Sequence, residues 1–331
     1  MSQAHNTAIE WTHIPGFKGE TWNPTTGCSK VSPGCAHCYA EAVTAKWAGN
    51  STGFITEHRP WTPANAAHNV TLWPNRLAQP LRWQNPRAVF VNSMSDLFHE
   101  EIPDAFVAEI FAIMALTPRH VYMVLTKRPE RMRGLLSSWK FCRQVAAAIE
   151  RLGREHAVAK WFIALEAVME SFEQLDNVWL GVTIENRRNV HRATVLRETP
   201  AAVRFISAEP LLGPLVRDGS RLVRVPGSSR REFGYSQGTH WDDAYSGPQI
   251  NLTAIDWMIV GGESGPKPRP IQQRWVRDLR DLAESAGVAF FFKQWGGRTP
   301  KAGGRELDRR TWSQWPPPPT KTNPGRTAAA A

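Results

Sequence analysis

From residue 87 onward the apolar positions repeat one unit: a short, nearly continuous apolar run, a polar end, then a stretch with helical spacing. The runs lie at 88–96, 120–128, 177–185, 203–210, 255–263 and 288–295. Continuous rather than alternating hydrophobicity is what a strand buried on both faces requires. Helical spacing fills 104–116, 129–137, 139–158 and 273–286; Pro103 and Asp104 open the first of these and Gly287 closes the last. The run 161–169 fits a buried helix or a strand equally well. Strands alternating with helices predict a parallel sheet covered on both faces. With one more strand ahead of Cys28 the count reaches six or seven units. The expected fold class is therefore α/β: a full or partial (β/α) barrel of about six parallel strands.

The rest of the pattern sets the domain boundaries. Residues 1–20 read as an irregular lead-in and 21–297 as the barrel domain, with a helix at 39–47 directly after the third cysteine. The span 49–86, rich in Pro, Asn, Thr and Trp, reads as an excursion covering one side, with a short helix near 65–77. A basic segment occupies 186–198. The low-hydrophobicity stretch at about 217–249 reads as an inserted surface loop or hairpin. Beyond 298 the chain turns to Gly, Arg and Pro, with four prolines at 316–319, and the tail 298–331 is expected to be disordered.

Chemistry in such folds collects at the C-terminal strand ends. Here those ends carry Asn92, Ser93, Ser95 and Asp96, then Thr126, Lys127 and Arg128, then Thr183, Glu185 and Asn186, then Ser207 and Glu209, then Glu263 and Ser264, then Lys293 and Gln294. That is more polarity than sheet stability needs. Three of the four cysteines, Cys28, Cys35 and Cys38, fall in one short stretch among Gly27, Pro33 and Gly34, which bend the chain back on itself. Thiolates grouped in this way suit a soft metal or an iron–sulfur cluster. Gaps of six and two residues are compatible with zinc and with iron–sulfur ligation alike. A structural zinc site would take a fourth ligand, with His37, His99 or His120 as candidates, whereas a cubane cluster can leave its fourth iron open for a small molecule. Placement on the first loop of a barrel-like series favours the open cluster. Cys142 stands alone in a helix-like run and reads as an idle thiol.

Composition narrows the partners. The chain has 331 residues, 42% hydrophobic and 21% charged, ordinary for a globular protein able to build a core. No apolar run has the length of a membrane span, and the polar start lacks the regions of a signal peptide, so no membrane association and a cytoplasmic location are expected. A reducing compartment makes a metal site a better reading of clustered cysteines than a disulfide framework. A formal charge of +10 favours an anionic partner such as DNA, RNA or a nucleotide, although many of the dispersed arginines will be solvated helix faces. The 15 tryptophans could stack bases, but most belong in packing.

Nine segments together carry a resemblance: Trp22-Asn-Pro-Thr-Thr-Gly-Cys28, Val31-Ser-Pro-Gly-Cys35, Cys38-Tyr-Ala-Glu41, Asn92-Ser-Met-Ser-Asp-Leu-Phe-His99, Leu125-Thr-Lys-Arg-Pro-Glu-Arg131, Trp179-Leu-Gly-Val182, Ser207-Ala-Glu-Pro-Leu-Leu212, Gly261-Gly-Glu-Ser-Gly265 and Phe292-Lys-Gln-Trp-Gly296. Over residues 20–297 they resemble a phage-associated bacterial family of unknown function with a three-cysteine motif. The cysteine loop itself looks like a widened form of the one in the radical S-adenosylmethionine superfamily. The resemblance implies a [4Fe-4S] cluster on Cys28, Cys35 and Cys38, with S-adenosyl-L-methionine on the fourth iron and a one-electron reductant as partner. It implies a 5′-deoxyadenosyl radical that abstracts hydrogen from a substrate it does not identify. His37, directly before Cys38, stands where those enzymes often carry an aromatic residue; it could pack on the adenine, or tune or ligate the metal, and Tyr39, directly after that cysteine, is a further candidate cofactor contact. Ser93, Ser95 and Asp96 fall where the methionine end of the cofactor is held, with helix capping as the plainer role. Lys127, beside Arg128, suits a carboxylate or phosphate, or is one of a solvated pair. Glu185 and Asn186 are placed for ribose hydroxyls, or for an ordinary salt bridge to Arg187 or Arg188. Glu209 and Glu263 could line the cavity or pair with Lys293. The competing reading is a zinc-stapled nucleic-acid-binding protein without catalysis.

Overall fold

The computed structural model describes residues 7–49, 57–216, 221–224, 233–236, 249–299 and 301–319. Seven strands hydrogen-bond in chain order as one parallel sheet: β1 (Lys18–Trp22), β2 (Arg87–Val91), β3 (Val121–Thr126), β4 (Val178–Thr183), β5 (Val203–Ala208), β6 (Trp257–Gly261) and β7 (Ala289–Gln294). The sheet curls into a half-barrel with helices around it, the partial form of the expected architecture. β1 pairs with β2 from Lys18↔Arg87 to Trp22↔Val91, so the first strand begins inside the expected lead-in.

Strand alternation divides the side chains between two cores. Val89, Val91, Tyr122, Val124, Leu180, Val182, Ile206, Met258, Val260, Phe290 and Phe292 face outward. There they pack with the apolar sides of α2 (Asp104–Leu116), α4 (Trp139–Glu155) and α7 (Gln273–Ala286). Ala88, Val121, Met123, Trp179, Phe205, Trp257, Ile259 and Phe291 face the concave side, and Trp11 and Ile14 of the lead-in plug it from below. Trp257 sits at the centre of this inner layer, with Trp11, Trp179, Phe205 and Phe291 at ring separations of 6.0, 6.1, 5.8 and 6.3 Å. Bulky rings therefore fill the lower lumen, and polar groups gather at its C-terminal mouth.

The remaining helices are α1 (Tyr39–Trp47), α3 (Pro129–Leu136), α5 (Trp161–Glu170) and α6 (His191–Arg197). The ambiguous run at 161–169 is thus a helix. Trp161, Ala164, Leu165 and Val168 recur at helical spacing and pack on the core. The helix runs close against α4, where a Cβ on Gly153 would meet the Trp161 side chain at 2.6 Å. The helix expected near 65–77 is two single turns, Ala66–Asn69 and Pro74–Leu77. Between them Thr71–Leu72 pairs with Thr25–Thr26 and fixes the start of the cysteine loop. Within the expected insertion, Arg221–Arg224 and Phe233–Ser236 pair antiparallel. Residues 217–220, 225–232 and 237–248 of that insertion lie outside the described residues. No helix among the described residues is long and apolar enough to cross a membrane.

The tail departs from its expected disorder, although 320–331 lie outside the described residues. Glu306–Leu307 and Arg310–Thr311 form a small hairpin. Phe292 N–H then donates to Trp312 O at 3.1 Å and Gln314 N–H to Phe290 O at 3.1 Å, covering the outer edge of β7. Trp312 is buried beside Phe290, and Trp315 donates to Trp11 O at 2.8 Å, tying the tail to the lead-in. An exposed strand edge invites association with other chains, and this segment closes it. Trp312→Ala is expected to cost about 3–5 kcal/mol in urea unfolding, as for other buried tryptophans; an unchanged midpoint would mean that the tail does not dock.

Candidate functional site

The cysteine loop reaches the mouth because β1 delivers it there. After Trp22 the chain pairs briefly through Thr25–Thr26, and Gly27 N–H donates to Met94 O at 3.0 Å. A single 3-10 turn, Pro33–Cys35, follows, and α1 begins at Tyr39, directly after Cys38.

Side chains from three strand ends and a backbone carbonyl from a fourth hold this loop. Arg128, after β3, is 5% exposed and is the principal clamp. It donates to Cys28 Sγ at 3.5 Å, to Ser29 Oγ at 3.0 Å and Ser29 O at 3.3 Å, to Asp96 at 3.3 Å, and to both oxygens of Glu100. Beyond β4, the Ser32 hydroxyl donates to Glu185, and Gly34 lies so close that a Cβ would stand 2.4 Å from the Glu185 carboxylate. Beyond β6, Glu263 bonds His37 Nδ1 at 2.9 Å and takes the Arg269 guanidinium, which also reaches Pro33 O at 2.9 Å. Beyond β2, Ser93 O accepts from the Tyr39 hydroxyl.

These contacts decide the state of several groups. Burial, reinforced by the Asp96 carboxylate, pushes the Cys28 thiol up to about 12, although Arg128 opposes the rise. Burial also raises Cys38. Both are protonated thiols at neutral pH and poor nucleophiles without a metal. Cys35 lies within electrostatic reach of both. Among the described residues, no three His, Cys, Asp or Glu side chains stand together in an arrangement that could hold a metal ion. The donor set suits a soft metal by its chemistry, three thiols on one loop beside a buried cation. Of the histidines considered as a fourth ligand, two are committed elsewhere. His99 Nδ1 accepts from Glu101 N–H at 3.1 Å, its Nε2 bonds Ser29 Oγ at 2.8 Å, and burial and Arg128 hold it below its ordinary value. His120 sits at the opposite, N-terminal end of β3, bonded to Arg87 N and Pro80 O and pushed down by burial to about 4. Of these three histidines, only His37 keeps a ring nitrogen, Nε2, without a partner among the described residues.

The other expected site residues mostly bind one another. Asp96 accepts from Phe98 N–H, Thr126 Oγ1, Lys127 N–H and Arg128, so both of its oxygens are used. Ser95 bonds Thr25, and Ser93 bonds Asn23 Oδ1. Glu185 is fully buried, held by Asn189 at 2.7 Å and by Arg192 at 3.1 Å rather than by Arg187 or Arg188. Asn186 caps the following turn through Arg188 N–H. Glu209 pairs with Lys293 at 2.5 Å, whereas Glu263 pairs with Arg269. The half-buried Lys127 ammonium has no ion-pair or hydrogen-bond partner among the described residues.

Sequence reasoning did not single out Ser32, Arg192 or Arg269, and it treated Arg128 only as one half of a basic pair. The only available signals were that Arg128 follows a buried strand and that Arg269 stands six residues past Glu263. Nor did it single out Asn92, Thr183 and Ser207 from the other strand ends. By alternation Thr183 and Ser207 fall on the concave side of β4 and β5, whereas Asn92, one residue beyond β2 and at φ 57°, does not continue that strand's alternation.

Two outcomes follow. Arg128→Met leaves the buried Asp96 without its cation and is expected to cost about 3–5 kcal/mol of folding stability, measured by denaturant unfolding. For Glu263, burial would raise its carboxyl, but hydrogen bonds from Arg269 and His37 outweigh it and hold the group down at about 2, against an ordinary 4.5. Its folded value is depressed, so its stabilising contribution is complete above about pH 4.5 and is lost as pH falls toward 2. Glu263→Gln should flatten the stability–pH curve across that window, and a curve of unchanged slope would contradict this assignment.

A family described as "Protein of unknown function (DUF5131)" matches residues 6–316. No curated protein and no solved structure matches the chain.

Proposed function

The chain belongs to this family of unknown function, so its activity has to be argued from the site, and we propose that it is a radical S-adenosylmethionine-type enzyme with a [4Fe-4S] cluster on Cys28, Cys35 and Cys38. The observation that carries this reading is the three-cysteine loop at the C-terminal mouth of a parallel half-barrel, anchored by side chains from three strand ends and a backbone carbonyl from a fourth. A cluster held by these three cysteines would supply one-electron chemistry: with a one-electron reductant as partner, S-adenosyl-L-methionine would be cleaved to methionine and a 5′-deoxyadenosyl radical for hydrogen abstraction. The protein's own residues position and shield. Arg128 sets a buried cation against Cys28, offsetting the charge of thiolate ligands. Glu263 and Arg269 fix the part of the loop that carries His37 and Pro33. Lys127 offers an unpaired ammonium to a carboxylate or phosphate. That cation, with the formal charge of +10, favours a nucleic acid, a nucleotide or another anionic substrate.

Anaerobic reconstitution with iron and sulfide, followed by metal analysis, tests the reading. Expected are about four irons and four sulfides per chain, as a cubane cluster requires, and cleavage of S-adenosyl-L-methionine on reduction. Cys28→Ala, Cys35→Ala and Cys38→Ala should each abolish loading, whereas Cys142→Ala should retain it. The open Nε2 of His37 favours one rival, a zinc-stapled nucleic-acid-binding protein. About one zinc per chain with no sulfide, lost in His37→Ala, would replace the proposal with that one.

A further inference from the structure

Helix α5 has the composition of a buried helix without the surroundings of one. Eight of its ten residues are apolar, yet only Val168 is buried. A helix apolar on every side belongs in a covered position. It is also more than the sheet requires: the β2–β3, β4–β5 and β6–β7 crossovers carry one α-helix each, whereas β3–β4 carries α3, α4 and α5. Trp161, Ala164 and Leu165 pack toward the core. Phe162, Glu166 and Met169 recur at helical spacing on a face that stays exposed, flanked by Ile163 and Glu170. α5 runs antiparallel to α4, because Cys142 Sγ donates to Val168 O at 3.2 Å while Gly153, further along α4, lies against Trp161. The outer side of α4 begins with Trp139, 60% exposed, and continues through the exposed Lys140 and Arg143.

Charge divides between these two helices. α5 holds two glutamates and no cation, within a chain of formal charge +10. Lys140, Arg143 and Glu166 have no ion-pair or hydrogen-bond partner among the described residues. We propose that two copies of the chain pair through α4 and α5 in a four-helix bundle, about a two-fold axis parallel to the helices. Such an axis keeps every residue at its own height, so the antiparallel register of α4 and α5 within one chain carries over between chains. Cys142 is level with Val168. Arg143 of one copy therefore stands level with Glu166 of the other, Lys140 with Glu170, and Trp139 with Met169. Every neighbouring pair of helices is then antiparallel, the up-down arrangement of such bundles. Packing α5 on α5 instead would set Glu166 against its own image, which like charges disfavour. A surface that carries its own complement on the adjacent helix fits a second copy of itself.

Sedimentation velocity on the full chain, under reducing conditions that prevent disulfide-linked dimers, tests the interface. The parent is expected to pass from monomer to dimer as its concentration rises through the micromolar range. Phe162→Ser combined with Met169→Ser should weaken the dimer roughly 10-fold or more. Both side chains are exposed in the single chain, so the melting temperature should not change at dilutions where the parent is monomeric. Arg143→Glu and Glu166→Arg should each weaken the dimer, and the two together should recover most of the loss, a restoration that a merely destabilised fold would not give. A parent that stays monomeric would overturn the inference and leave the face to a different protein. A dimer indifferent to Phe162 and Met169, or charge variants whose losses simply add, would overturn it as well. The interface uses none of the three clustered cysteines, so loading with iron and sulfide succeeds or fails independently of it.

Discussion

A single buried guanidinium holds the mouth of this half-barrel together. Arg128 ties the end of β3 to Asp96 after β2, and both to Cys28 and Ser29 of the loop that follows β1. Removing a guanidinium from water is expensive, and the cost is met only when most of its donors are bonded. Here each of its three nitrogens finds an acceptor, and Asp96 is itself saturated by two backbone amides and a hydroxyl. Such a network is stiff because no member can move without leaving another unpaired. The position of Cys28 is thereby inherited from the sheet rather than left to a free loop.

The sheet can supply that rigidity because its concave side is filled from below. Tryptophan and phenylalanine rings from the inner strand positions, with Trp11 and Ile14 beneath them, leave little free volume in the lower lumen. Interiors packed at this density resist deformation, so the strand ends above them stay fixed. The tail contributes from outside, completing the edge of β7 and reaching back to Trp11. Lead-in and tail, far apart in sequence, therefore stabilise the same inner layer that supports the site.

The sequence made the scaffold readable where one physical rule dominated. Continuous apolar runs marked six strands because parallel strands are buried on both faces, and 104–116 could be bounded because Pro103 and Asp104 are local signals. The tail was misread for the opposite reason. Leu307, Trp312 and Trp315 have no period, and the surrounding Gly, Arg and Pro outweigh them until a sheet edge exists for them to dock on. At the site, residue types pointed to the right place but not to the right bonds. Glu185 finds Arg192, seven residues on, because the turn at Arg187–Asn189 and the start of α6 bring that arginine back beneath it. No spacing rule distinguishes it from Arg187 or Arg188. Asn92 is harder still, since what distinguishes it is a buried carboxamide with no partner among the described residues, a feature that only the folded structure reveals.

The pairing of carboxylates with cations also determines what the mouth can attract. Asp96 is matched by Arg128, Glu185 by Arg192, Glu209 by Lys293 and Glu263 by Arg269. Each pair is spent on holding strand ends and loop in place, so none of these acids offers an uncompensated negative charge to a ligand. What remains beside them is the Lys127 ammonium and the Thr183 and Ser207 hydroxyls, which bond no described group. In a partly desolvated cleft the field of one unpaired cation is screened far less than it would be in water. Among small molecules entering from solvent, those bearing a phosphate or carboxylate gain from that field and cations lose. The same ion pairs that fix the cysteine loop thus leave the cleft biased toward anions.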